Sequence, residues 1–203
     1  MNFIKKIFST ATTENDKESG HDSSQKETIT LTTQPLDEYF VSQFIKNGGK
    51  FLYCTHQEEV NQHLMDIFEE NNWKKAVCFN PDLEKRMNML GLDSTETISK
   101  NYPFFTLCEN LLADTGSIMF SSNQVHDKKI AQLPDNFVVF ASTSQLVRDA
   151  REAFMSIKQN YNKDYPSNIS SIKCYEPEKV EDDFLSYGNK NAKKLFLLLL
   201  EDL

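Results

Sequence analysis

Three short polar clusters hold the side chains that could do chemistry. Ala113-Asp114-Thr115-Gly116-Ser117 sets a carboxylate, two hydroxyls and a glycine side by side. Asp114 could orient a hydroxyl or accept a proton, and Thr115 and Ser117 both donate and accept. Gly116 can take φ > 0 and admit a ligand to the backbone. The same residues also suit a plain turn in which Asp and Thr side chains bond their own backbone. Ser121-Ser122-Asn123-Gln124 follows, with Lys128 and Lys129 beyond it. That cluster suits phosphate or carboxylate oxygens, or a polar surface loop with solvated lysines. Thr143-Ser144-Gln145 reads as a helix start that receives an anion through free N–H groups and the helix dipole, or as ordinary N-capping. Glu109 and Asp114 are either an acid/base couple or two structural carboxylates. The candidate ligand-binding residues are therefore Asp114, Thr115, Gly116, Ser117, Ser121, Ser122 and Gln145, around a small anionic metabolite. No catalytic residue is assigned.

Other chemistries lack their residues. There is no G-x-S-x-G elbow, no G-x-G-x-x-G and no P-loop, and His56, His63 and His126 stand in unrelated contexts. Cys54, Cys78, Cys108 and Cys174 are scattered without a C-x-x-C pair, so neither a metal nor an iron–sulfur cluster is expected on this chain alone. Reduced thiols in a cytoplasmic protein account for them. With 22 basic against 30 acidic side chains, the net charge is −8, and no basic block offers a surface for nucleic acid. Hydrophobic content of 39% and a mean hydropathy of −0.53 fit a globular protein. No segment approaches the roughly 18 apolar residues of a membrane span. Met1 to Phe8 carries two lysines without a following apolar region, which does not make a secretory signal.

The elements that must position these clusters alternate. From Ser9 to Thr28 the only apolar side chain is Ala11, so residues 1–34 are expected to be a disordered arm and 35–203 one α/β domain. Leu36, Phe40, Val41, Phe44 and Ile45 recur at helical spacing before Gly48-Gly49. A strand is predicted over Lys50 to Cys54. Thr55-x-x-Glu58 has the form of a capping box for a helix with the stripe Val60, Leu64, Ile67 and Phe68. A strand at 76–79 precedes a helix opened by Asn80-Pro81, carrying Leu83, Met87 and Leu90 and stopped by Gly91. Strands follow at 104–108, 117–120 and 137–141. Thr143 or Ser144 is expected to cap a long helix with the stripe Leu146, Val147, Ala150, Phe154 and Ile157. A weaker strand covers 169–175. Leu195 to Leu200 is a continuous apolar run, which suits a strand covered on both faces of a mainly parallel sheet flanked by helices.

The order of these motifs resembles the LUD domain, the LutC/YkgG-like lactate-utilisation family. The resemblance rests on Cys108-Glu109 through Ile118, Ser121-Ser122, Leu133-Pro134-Asp135 with the strand 137–141, and Gln145-Leu146-Val147. Ala113 to Ser117 resembles the family's Ala-Glu-Thr-Gly-Thr signature, with Asp for Glu and Ser for Thr. Leu195 to Asp202 resembles its closing strand. The resemblance implies a NagB/RpiA/CoA-transferase-like fold and a part in oxidising L-lactate to pyruvate, with iron–sulfur clusters held by separate partner proteins. Where the family carries a Gly-Pro-Ser-Ala-type segment, this chain has Pro166-Ser167-Asn168-Ile169, followed by an acidic loop at 176–183. Those departures suit a second reading, a non-catalytic binding or assembly module on the same fold. A third is a stand-alone isomerase or transferase; a CoA-transferase would need a catalytic glutamate, and Glu109 is the nearest candidate.

Overall fold

A computed structural model describes residues 35–175 and 191–202. The expected arm at 1–34 and the acidic loop at 176–183 lie outside the described residues. Helix α1 (Leu36–Lys46) buries Phe40, Val41 and Phe44 and leads into strand β1 (Lys50–Cys54). Helix α2 (Gln57–Glu70) buries Val60, Leu64, Ile67 and Phe68, the stripe expected of it. Its start differs from the expected box. His56 is the extended residue before the helix, so Glu59, not Glu58, stands where a carboxylate can reach back. Glu59 accepts from the Thr55 N–H at 2.6 Å and the Thr55 hydroxyl at 3.0 Å. Strand β2 (Lys75–Val77) precedes α3 (Pro81–Met89), where the Asn80 side chain accepts from the N–H groups of Asp82 and Leu83.

The chain continues through β3 (Asp93–Thr95), β4 (Phe104–Thr106), β5 (Asn110–Leu112), β6 (Ser117–Phe120) and the one-turn helix α4 (Ser122–Val125). Then come β7 (Asn136–Ser142), β8 (Leu146–Val147), α5 (Ala150–Tyr161), β9 (Ser170–Ile172) and β10 (Lys194–Leu200). Six strands form a parallel sheet in the order β1-β10-β7-β4-β2-β3. Four short ones form a second sheet, β8-β5-β6-β9, in which β6 runs antiparallel to both neighbours.

β10 lies between β1 and β7, and its side chains divide by parity. Leu195, Leu197 and Leu199 pack with α1 and the inner face of the second sheet, among Phe44, Ile118 and Phe120. Phe196, Leu198 and Leu200 face the other way, onto Val60, Leu64 and Phe68 of α2 and Leu83 and Met87 of α3. The apolar run is thus covered on both faces, as a parallel strand between layers must be. On the far face of the second sheet, Leu112 and Met119 pack under Ala153 and Ile157 of α5. The layers run α2/α3, six-stranded sheet, α1 with the second sheet, then α5. Among the described residues no helix is long and apolar enough to cross a membrane.

Leu198 is fully buried at the centre of this arrangement. Leu198→Ala is expected to lower the unfolding free energy by about 2–5 kcal/mol, read from the urea midpoint. Met89→Ala, at a side chain 73% exposed, should move it by less than about 0.5 kcal/mol.

Candidate functional site

The carboxyl ends of the parallel strands are where open α/β sheets bind ligands, and here they carry a cleft of about 390 Å³. Tyr53 near the end of β1, Thr143 and Ser144 after β7, and Glu201 after β10 line it, together with Leu36, Asp37 and Leu146. The Tyr53 hydroxyl hydrogen-bonds Glu201, and burial first, then that carboxylate, raises its pKa above 10.0. The phenol therefore remains a donor at neutral pH.

The segment after β7 differs from its expected form. Thr143–Gln145 is a single 3-10 turn, Leu146–Val147 pairs with Leu111 and Leu112 as β8, and α5 begins only at Ala150. The cap is Asp149, whose side chain accepts from the Glu152 N–H at 3.0 Å. Asp149-x-x-Glu152 is the stronger cap, and an extended Leu146-Val147 satisfies the open edge of β5. With the helix starting there, its buried face is Ala153 and Ile157, and Phe154 is 51% exposed. The Thr143 hydroxyl and the Ser144 N–H both donate to Asp202 Oδ1, at 2.9 and 2.8 Å, and the Ser144 hydroxyl donates to Oδ2 at 2.7 Å. The anion at this turn is the chain's own carboxylate.

Ala113 to Gly116 form the tip of the β5–β6 hairpin, and Ser117 opens β6. Asp114 is exposed and accepts from the Thr115 hydroxyl at 3.1 Å, and Thr115 and Ser117 share a 2.6 Å hydroxyl contact. Gly116 has φ +63°, and a Cβ there would lie 2.5 Å from backbone atoms of Gln43 and Phe44. Its open side is filled by α1. The Asn47 amide donates to the Thr115 carbonyl at 2.7 Å, and the buried Tyr175 hydroxyl lies 2.8 Å from the Gly116 carbonyl and 2.9 Å from that of Ile172.

Ser121 and Ser122 lie beyond the other end of β6, about 13 Å away at the strand rise. The candidate residues therefore fall into two groups, with Gln145 in the second. Ser121, fully buried, donates to Glu109 Oε1 at 2.5 Å. Asn123 reaches the same oxygen at 3.2 Å, and the Tyr161 hydroxyl donates to Oε2 at 2.9 Å. Glu109 is 9% exposed, and its donors among the described residues are all neutral. Gln145 gives its amide to the carbonyls of Cys108 at 2.7 Å and Glu109 at 3.2 Å. Ser122 exchanges two hydrogen bonds with the backbone of Ser167.

The LUD domain family model matches residues 98–200, from just before β4 to the end of β10. The chain belongs to the LUD domain family. The crystal structure of a DUF162 family protein from Deinococcus radiodurans has a similar fold, with a TM-score of 0.57 over 82% of this chain and 96% of that one. Only 12% of aligned residues are identical, so the likeness is one of fold. No curated protein matches the chain.

In this LUD domain the signature loop and the Glu109 group stand at opposite ends of β6. Sequence reasoning missed Tyr53, Asn47, Tyr161, Glu201 and Asp202 as parts of these arrangements. Tyr161 alone had a local signal, four residues beyond the buried Ile157 on the same helix face. Among the described residues no three His, Cys, Asp or Glu side chains converge as a metal site requires.

Gly116→Ala is expected to cost about 1–3 kcal/mol in thermal or urea unfolding, because the added methyl meets backbone rather than a yielding side chain. Burial, and then the bond and charge of Glu109, raise the pKa of Tyr161 above 10.0. The stability tied to that phenol is full below pH 10.0 and is lost as pH rises through the folded value. Glu109→Gln should shift the Tyr161 titration, followed by ring NMR, back toward 10.0.

Proposed function

We propose that this LUD-domain protein serves L-lactate or related 2-hydroxy-acid utilisation as a binding and assembly module. Separate iron–sulfur partner proteins take the two electrons released when lactate becomes pyruvate. Family membership supports the metabolic setting. The observation that carries the module reading is that the polar groups suited to an anion are engaged within the fold. Thr115 bonds Ser117, Ser121 bonds Glu109, Ser122 bonds Ser167, Gln145 bonds Cys108, and Thr143 and Ser144 bond Asp202. A lactate carboxylate at either group would have to break bonds of equal quality, including charge-assisted ones. The cleft at the sheet mouth adds the carboxylates of Asp37 and Glu201, which repel a second anion.

Two measurements test the proposal together. Clean deletion of the gene should abolish or strongly lower L-lactate oxidation in extracts, with restoration by the intact gene. The purified protein should show no saturable heat on titration with L-lactate, yet co-purify with iron–sulfur proteins required for that oxidation. An unchanged oxidation rate after deletion would sink the metabolic assignment. Tight lactate binding lost in Asp114→Ala with Ser117→Ala would restore these residues as a ligand site and end the module reading.

A further inference from the structure

We propose that the cleft at the carboxyl ends of β1, β7 and β10 binds the ammonium group of a small aliphatic amine, held between Glu201 and Asp37. Place, size and charge point the same way. The cleft stands where parallel strands of an α/β sheet end, and its 390 Å³ falls in the range of roughly 300–1,000 Å³ usual for small-molecule sites. Leu36 and Leu146 offer apolar wall for a short carbon chain. Two carboxylates line it, and among the described residues no lysine or arginine does.

The polar groups are also of the right kind. An ammonium brings three donors and no acceptor, so it needs acceptors with lone pairs to spare. Glu201 has the Tyr53 phenol, a neutral group, as its hydrogen-bond partner. The Ser144 N–H and hydroxyl are directed to Asp202 and do not compete as donors. Among the described residues neither Asp37 nor Glu201 has an ion-pair partner. A net charge of −8 further concentrates cations near the mouth. The amine site goes beyond the assembly role and does not depend on it.

The test compares n-butylamine, n-butanol and L-lactate as probes added to the full-length, isotopically labelled protein at neutral pH. The amine should give saturable amide shifts at Tyr53, Ser144 and Leu146. Half-saturation should be at least about tenfold weaker for n-butanol, which lacks the charged donor, and L-lactate should not displace the amine. Glu201→Gln should weaken amine binding by a similar factor, with an unchanged melting temperature as the control for folding. If that variant unfolds, Asp37→Asn is read in its place. Equal binding of amine and alcohol, absence of saturable shifts at those amides, or undiminished binding in the folded variant would overturn the proposal.

Discussion

The fold depends on one strand having no solvent-facing side. β10 is flanked by β1 and β7, so its backbone groups are bonded to both neighbours while its side chains enter two different cores. Lys194 to Leu200 pairs residue for residue with Asn136 to Ser142, and Lys50 to Cys54 pairs with Phe196 to Leu200. A slip by one residue would exchange the two sets of leucines, and the shapes of α1 and α2 that they meet would no longer fit. The start of the strand is held by Lys193, a buried lysine whose ammonium donates to the Leu133 carbonyl at 2.9 Å and lies 3.6 Å from Asp135. Burial pushes its pKa down, and Asp135 acts against that. The other end is held by Asp202 on the turn after β7. Polar contacts thus tie β10 to β7 at both ends, and apolar burial holds it between them.

This constraint decides what the second sheet can do. Its inner face closes the core above β10, so the β5–β6 hairpin must come close to α1, and Gly116 is where the two backbones meet. A side chain at that point would lift the hairpin from the helix and open the space around Phe44 and Tyr175, whose rings lie 4.6 Å apart. At the far end of β6 the closing groups are polar. Glu109 gathers Ser121, Asn123 and Tyr161, and so joins α4 and α5 to the same hairpin. A carboxylate surrounded by neutral donors spends its lone pairs on positioning.

Much of the larger sheet was legible because its signals are local. The α2 stripe, the Asn80-Pro81 cap and the apolar run of β10 each lie within one element, and each forms where its pattern placed it. The second sheet was legible only in part: β6 forms over the predicted 117–120 and β9 lies within the predicted 169–175, but β5 and β8 had no such signal. β5, β8 and β9 are two or three residues long, and β8 and β9 become strands only by pairing with segments far along the chain. Leu146 and Val147 continue a helical stripe on paper, but the open edge of β5 offers them backbone partners that a helix would forgo. Thr143 likewise reads as a helix cap or an anion donor because its partner is remote: Asp202 is 59 residues away. Residue type and spacing show which groups can bond, but not which of them the fold has already used.

That distinction explains how the charge is distributed. The chain supplies its own carboxylates where backbone N–H groups and hydroxyls converge: Asp202 at the turn after β7, Asp149 at the start of α5, Glu59 before α2 and Glu109 between β4 and β5. Each does locally what a bound anion could otherwise do. Glu201 and Asp37 are different, since the first meets only a phenol and the second has no hydrogen-bonded partner among the described residues. They face the same cleft at the end of the strand that organises the sheet. The fold therefore presents acceptors at its mouth and keeps its donors for itself. A complementary ligand must bring positive charge or hydrogen-bond donors of its own.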